Sequence, residues 1–373
     1  MFSLPSIKIG KILGFNIEIN YTWFIIFIII LFQFTLIFDA ELASLPISVL
    51  AGLITSLLFF SSLLFHELCH SYVAKLNKLP IKKITLFIFG GVAEMTEEPS
   101  TPAIEFKMAA AGPLASIFLS GFFYGFFILA NILNLGNVLI SPLYYLALIN
   151  FMLAIFNLML GFPLDGGRLL RALLWYFLKD IKFATKVASM VGQILAYLLM
   201  FVGFMSAIQG RIGGIWFILI GWFLNQAAQG SYQQVVLQSA LSGIKVSEIM
   251  APNVLTVSPS ITLDEIVSNY FLKYRFGRFP VVEGDKFLGV VTLHDVKEIP
   301  RERWATTTIG EIVHSSDKLL TINVNNDAVH ALMQMAREEI GHLLVVNEKN
   351  DLVGLVTRTD IIRLIKVKTE LGM

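Results

Sequence analysis

Six stretches of the chain are apolar at almost every position: Tyr21 to Phe38, Pro46 to about Leu76, Met108 to about Ala130, Leu143 to about Leu160, Val187 to Ile208, and Ile212 to about Ala228. A helix needs ~20 mainly apolar residues to cross a bilayer, so the pattern predicts six transmembrane helices. Past Gly243 it changes to short apolar runs broken by charges, as in an ordinary soluble domain. The charges divide at the same place. Residues 1–243 hold 23 Asp, Glu, Lys and Arg, and residues 244–373 hold the other 32 of 55, which is 23/243 against 32/130. The expected domains are a six-span membrane domain over 1–243 and a cytosolic domain over 244–373.

Lys and Arg counted on alternate sides of the six spans give an orientation. One side collects Lys8, Lys11, Lys75, Lys78, Lys82, Lys83, Lys107, Arg168, Arg171, Lys179, Lys182 and Lys186, the other only Arg211. Both termini are therefore expected in the cytosol, with the chain multi-pass in the cell membrane. No small-residue cleavage site follows the first apolar stretch, which reads as a retained span rather than a signal peptide.

Composition adds little beyond this. At 56% hydrophobic and 15% charged the chain falls in the membrane class. A net charge of +1 without a basic cluster gives no nucleic-acid footprint. One cysteine, Cys69, excludes an intramolecular disulfide framework.

The chemistry sits in the second span, which contains "HELCH" from His66 to His70. If Lys75 marks the interface, His66 lies about 13 Å deeper at the helical rise. Ionisable groups at such depth are expensive and mark function. His66 and His70 are spaced i, i+4, so both imidazoles leave one helix face and can hold one zinc, with Glu67 placed to take a proton from a water. A catalytic zinc usually takes a third protein ligand. Between Lys107 and Arg168 the one charged residue is Asp165, in "NLMLGFPLDGGR", where Gly161, Pro163, Gly166 and Gly167 break the helix. Asp165 is the candidate ligand; the alternative is a cap on the helix that follows. Irregular backbone at that depth is tolerated where it is buried in protein or lines a wet cavity.

"HELCH", "AAGPLAS" from Ala110 and "PLDGGR" from Pro163 together resemble the site-2 protease family of intramembrane zinc metalloproteases, over about residues 10–240. The resemblance implies that His66, His70 and Asp165 ligate one zinc per chain and that Glu67 is the general base. It also implies that Asn157 positions substrate or stabilises the oxyanion; an interhelical hydrogen bond is the other reading of Asn157. Two positions depart from the family pattern: Leu160 stands where proline is usual, and Cys69 where glycine is usual before the second histidine. Cys69 reads as a small packing residue.

"ITLFIFGGVAEM", Ile84 to Met95, predicts a small membrane-associated β hairpin around Gly90-Gly91. Its edge could pair with an extended substrate, or the segment could only seal the cavity.

The tail repeats itself. "FPVVEGDKFLGVVTLHDV" from Phe279 aligns with "LLVVNEKNDLVGLVTRTDI" from Leu343, and each half reads as strand, helix, two strands, helix. This resembles a tandem CBS pair, an α/β domain with halves at about 244–300 and 305–370. Gly289, Thr292 and Asp295 fit the motif in the first copy, and Gly354, Thr357 and Asp360 in the second. The resemblance implies an adenine nucleotide held through Thr292, Asp295, Thr357 and Asp360, and a homodimer through the tail. Many such pairs bind nothing, and each Thr-x-x-Asp then only caps a helix. His294, His314, His330 and His342 read as surface or packing residues.

The combined expectation is a protease that cuts single-span membrane proteins, modulated by nucleotide. Its rivals are a CBS-regulated transporter or channel and an inactive zinc-binding scaffold.

Overall fold

A computed structural model of the chain describes residues 6–42, 44–95, 98–211, 213–252, 254–284, 286–315, 321–338 and 340–370. The chain divides into two compact units, Met1–Val235 and Val236–Met373.

In the first unit, β1 (Ser6–Ile12) and β2 (Phe15–Asn20) precede α1 (Thr22–Leu42) and α2 (Leu45–Leu76). Next come β3 (Ile81–Phe87), β4 (Gly90–Met95), α3 (Pro102–Ile132), α4 (Asn137–Asn157), α5 (Asp165–Leu178), α6 (Ile181–Ile208) and α7 (Gly213–Leu241), whose residues past Val235 belong to the second unit. Among the described residues, α1, α2, α3, α4 and α6 are long and apolar enough to cross a membrane. Their outer faces expose large apolar side chains such as Phe32, Leu50, Phe118 and Phe201. The sixth expected span falls in α7, apart from Ile212, which lies outside the described residues. α7 is not among those five, because Asn225, Gln226 and Gln229 dilute its apolar half.

α2 crosses the bundle on small polar residues. Thr55 and Ser56 are fully buried, and each hydroxyl donates to the carbonyl four residues back, at 2.7 Å, so neither polar group is left unmet in an apolar setting. Sequence reading starts α3 at Met108; the helix begins at Pro102 and takes in Glu105 and Lys107. α4 stops at Asn157, before Leu160, and the chain leaves helical geometry until α5 begins at Asp165.

The four strands form one sheet in the order β1-β2-β3-β4. β1/β2 and β3/β4 are antiparallel, and β2/β3 are parallel. Sequence reading does not find β1 and β2. Phe15, Ile17 and Ile84 pack the sheet onto Leu64 and Leu68 of α2, either side of His66 and Glu67. β4 is the edge strand beyond β3. Burial alone would raise the Glu18 carboxyl on β2, but bonds from Lys83 at 2.9 Å and Ser6 at 2.5 Å outweigh it and hold the pKa below the usual range.

In the second unit the two halves repeat. β5 (Arg278–Glu283) and β6 (Lys286–Thr292) pair antiparallel, followed by helix Leu293–Lys297 and β7 (His314–Ser315) on the far side of β6. β8 (Thr321–Asn323) runs parallel to β9 (His342–Val346), which pairs antiparallel with β10 (Leu352–Thr357) before helix Arg358–Glu370. Where the second half has β8, the first has only a parallel bridge of Val257 to Val281. Phe287 of one half packs on Leu344 and Val346 of the other.

Candidate metal centre

His66 and His70 stand on the same face of α2, 2% and 7% exposed, with ring centroids 4.8 Å apart. Asp165, the first residue of α5, turns its carboxylate to them: Oδ2 is 3.1 Å from each Nε2, and the two Nε2 atoms are 3.1 Å from each other. Four tetrahedral ligands held at about 2.0–2.1 Å from zinc stand about 3.3–3.4 Å apart, so this triangle fits three of them and leaves one position open. Among the described residues no other group of His, Cys, Asp or Glu side chains converges this way. Asp165 makes no cap bond on α5; the residue at the cap position is Leu164. Cys69 is half-buried and outside the donor set.

Neighbours fix the rings. His70 Nδ1 donates to the Met108 carbonyl at 2.6 Å, which leaves Nε2 as the atom a metal could use, and His66 Nδ1 lies 2.9 Å from Ser116 Oγ. Such outer partners set tautomer and ring orientation. Both come from α3, whose Gly112 lies between them in sequence and against the rings. A Cβ on Gly112 would fall 2.1 Å from His70 Nε2 and 2.5 Å from His66 Nε2. The "AAGPLAS" segment thus leaves the space of one ion by having no side chain there.

Glu67 faces the sheet. A Cβ on Gly91 of β4 would come 2.4 Å from Glu67 Cγ, so the β4 backbone lies directly against the carboxylate. A cavity of about 260 Å³ opens here, lined by His66, Glu67, His70, Asp165, Asn157, Arg168 and the β4 stretch Gly91–Ala93. Asn157, the last residue of α4, donates through Nδ2 to the Leu153 carbonyl at 3.1 Å, a bond within its own helix. The structure therefore brings together His66, Glu67, His70, Asn157 and Asp165. The Met108 carbonyl, Ser116 and Gly91 join them; sequence reading gives the first two no role and places Gly91 at the hairpin turn, whereas the turn is Ile88-Phe89 and Gly91 lies in β4. Ser116 lies in one of the three motifs, but a backbone carbonyl carries no sequence signal.

The tail residues lie elsewhere, in the second unit. Thr292 Oγ1 and N both donate to Asp295 Oδ2, at 2.8 and 2.7 Å, and Asp295 N donates back to Thr292 Oγ1 at 3.3 Å. Thr357 and Asp360 repeat the pattern at 2.6, 3.0 and 3.2 Å. Each pair is a capping box at the start of a helix.

Comparison with known proteins follows this division. Residues 54–136 and 129–202 match the model of Peptidase family M50, and residues 246–302 and 309–367 match the CBS domain. A candidate zinc metalloprotease of Synechocystis sp. is 32% identical over 97% of this chain and 96% of that protein. A zinc metalloprotease of Methanocaldococcus jannaschii is 30% identical over 98% of each. Among solved structures, a site-2 protease from Methanocaldococcus jannaschii is 32% identical and covers 61% of this chain and 95% of that one, with a TM-score of 0.44.

Proposed function

The chain belongs to peptidase family M50 as a metalloprotease of the site-2 type carrying a tandem CBS pair, and on that premise we propose that it hydrolyses peptide bonds in or near the membrane segments of single-span membrane proteins. The observation that carries this is the donor triangle of His66, His70 and Asp165 at 3.1 Å beside Glu67, with both histidines and the glutamate on a helix long and apolar enough to span a membrane.

His66 and His70 from α2 and Asp165 from α5 would hold one zinc, which would supply Lewis acidity there, making a water acidic enough to give up a proton near neutral pH and polarising the scissile carbonyl. Glu67 takes the proton of the attacking water on its carboxylate and returns it to the leaving amide nitrogen. Asn157 uses one Nδ2 proton on Leu153; the other serves the substrate carbonyl as its oxygen gains charge. Substrate reaches Glu67 as an extended segment paired along β4, because a peptide bond inside a helix is shielded.

The finer arrangement extends the same reading. α7 completes six spans, and the twelve Lys and Arg set against Arg211 put both termini in the cytosol. The CBS pair forms a homodimer and takes an adenine nucleotide that modulates cleavage. The test is Glu67→Gln in a cleavage assay on membrane-tethered candidate substrates. Cleavage should vanish while one zinc per chain remains. Full proteolysis by that variant refutes the role of Glu67.

A further inference from the structure

The two histidines come from α2, oriented by α3, and Asp165 is the first residue of α5, just after the non-helical turn, and something must fix the distance between them. One side chain that touches both α3 and that turn is a buried arginine. Arg171 of α5, 3% exposed, donates from Nε to Glu105 Oε1 at 2.6 Å, and its Nη2 meets the same oxygen. Its Nη1 donates to Glu98 Oε2 at 3.2 Å, and its Cζ lies 5.0 Å from the centroid of the Phe162 ring.

These contacts lie beside the supports of the metal ligands. Glu105 is one turn before Met108 on α3, whose carbonyl accepts from His70 Nδ1. Phe162 is three residues before Asp165, in the non-helical turn, and its backbone N–H donates to the Ala188 carbonyl of α6 at 3.1 Å. Glu98 sits in the connection from β4 to α3.

Stability alone is a poor account of this cluster. Glu105 is fully buried, and its Oε2 has no hydrogen-bond partner among the described residues. Burying such a pair costs desolvation that its attraction often only offsets, and apolar replacements of both partners are commonly neutral. What a buried guanidinium offers is geometry: a planar fork that reaches two carboxylates while its face lies on an aromatic ring, which a lysine cannot copy.

We propose that Arg171 is a positioning residue of the metal centre, tying the turn that delivers Asp165 to the stretch of α3 that holds His70. The proposal rests on His66, His70 and Asp165 being the zinc ligands. Loss of the tie lets the Asp165 carboxylate drift from the imidazoles without removing any ligand.

The test measures zinc affinity of the full chain in detergent by competition with a chromogenic chelator, alongside the absorption bands of the cobalt-loaded protein. Arg171→Lys and Arg171→Gln should each weaken zinc about 10- to 100-fold, the usual cost of losing an outer support, and should shift the cobalt bands. Lysine should fail to rescue. Two further variants separate positioning from folding. Arg171→Met combined with Glu105→Met and Glu98→Gln removes the arginine together with both of its carboxylate partners, and Phe162→Leu leaves every charge paired. Both should still unfold in one cooperative transition yet lose zinc affinity, the second by a smaller factor. A folded variant with wild-type affinity and the wild-type cobalt spectrum, beside a zinc-loaded wild type, overturns the proposal. A wild type that takes up no zinc overturns the ligand assignment and this proposal with it.

Discussion

Gly112→Ala tests the metal centre with a single methyl group. The three donor atoms form a triangle 3.1 Å on a side. Its centre is about 1.8 Å from each donor, so an ion held at about 2.0–2.1 Å sits about 1 Å off their plane. The added Cβ would lie 2.1 Å from His70 Nε2 and 2.5 Å from His66 Nε2, which is ion distance rather than contact distance. Relieving the overlap requires α3 to retreat from α2 by about 1 Å or more, given an ordinary carbon contact of about 3.5 Å. That retreat also pulls the Met108 carbonyl and Ser116 away from the rings. Zinc affinity should fall at least about 10- to 100-fold. Cleavage should fall about 100-fold or more, the usual consequence of a 1 Å misplacement. Zinc per chain is measured after dialysis against a graded chelator, with unfolding temperature measured on the same sample. Alanine in a helix interior is otherwise favourable over glycine, by about 0.5–1 kcal/mol, so a general loss of helix stability is not the expected cause. A Gly112→Ala protein that holds one zinc as tightly as wild type would show that the ion does not lie between α2 and α3, and the site would have to be redrawn.

Asp165→Ala should lower bound zinc and activity together, read by metal analysis of the purified chain; one tightly held zinc would place the third ligand elsewhere. Asp295→Ala and Asp360→Ala each remove a helix cap and should cost the second unit about 0.5–2 kcal/mol in thermal or denaturant unfolding, whether or not nucleotide is present. Calorimetry on the full chain in detergent should show ATP, ADP or AMP binding that these variants weaken; no heat at millimolar nucleotide would leave the tail as a dimerisation or docking module. His342 is held below its ordinary pKa by burial and by nearby Arg278, so the unfolded chain binds its proton more readily than the folded one. Its contribution is intact above the unfolded value of about 6.5 and is lost as pH falls through and below it, so the second unit should unfold more easily in that range, and His342→Gln should flatten the dependence.

The parts of the centre legible in the chain are those whose signal is local or lies in isolation. His66 and His70 announce themselves by i, i+4 spacing, and Asp165 by standing alone among apolar residues. The structure brings these to one point, although Asp165 is 95 residues from His70. Pairings at long range leave no comparable mark. β2 finds β3 in parallel across two membrane-length helices, with Ile17 opposite Ile84, and a short flank such as "GFNIEIN" gives no hint of that partner. Arg171 and Glu105 sit 66 residues apart, each among other interfacial charges, so neither reads as half of a buried pair. The start of α3 is hidden for the same reason: Glu105 and Lys107 look like the polar edge of a span, and burial of Glu105 is decided by Arg171, not by its neighbours in sequence.

Edge strand and metal centre also constrain each other. A peptide added to a sheet lies about 4.8 Å from the strand it pairs with. β4 is bonded to β3 on one side, and its Gly91 backbone presses on Glu67 so closely that a methyl there would meet the carboxylate carbons. Gly91, Val92 and Ala93 line the same cavity as His66, Asp165 and Asn157. A substrate strand seated on the open side of β4 would therefore lie one strand spacing from the backbone that packs on Glu67. On this arrangement the strand that binds the substrate also sets its depth relative to the general base. Lengthening the Ile88-Phe89 turn between β3 and β4 would move the cut site along the substrate, whereas substitutions at the ligands would remove cleavage without moving it.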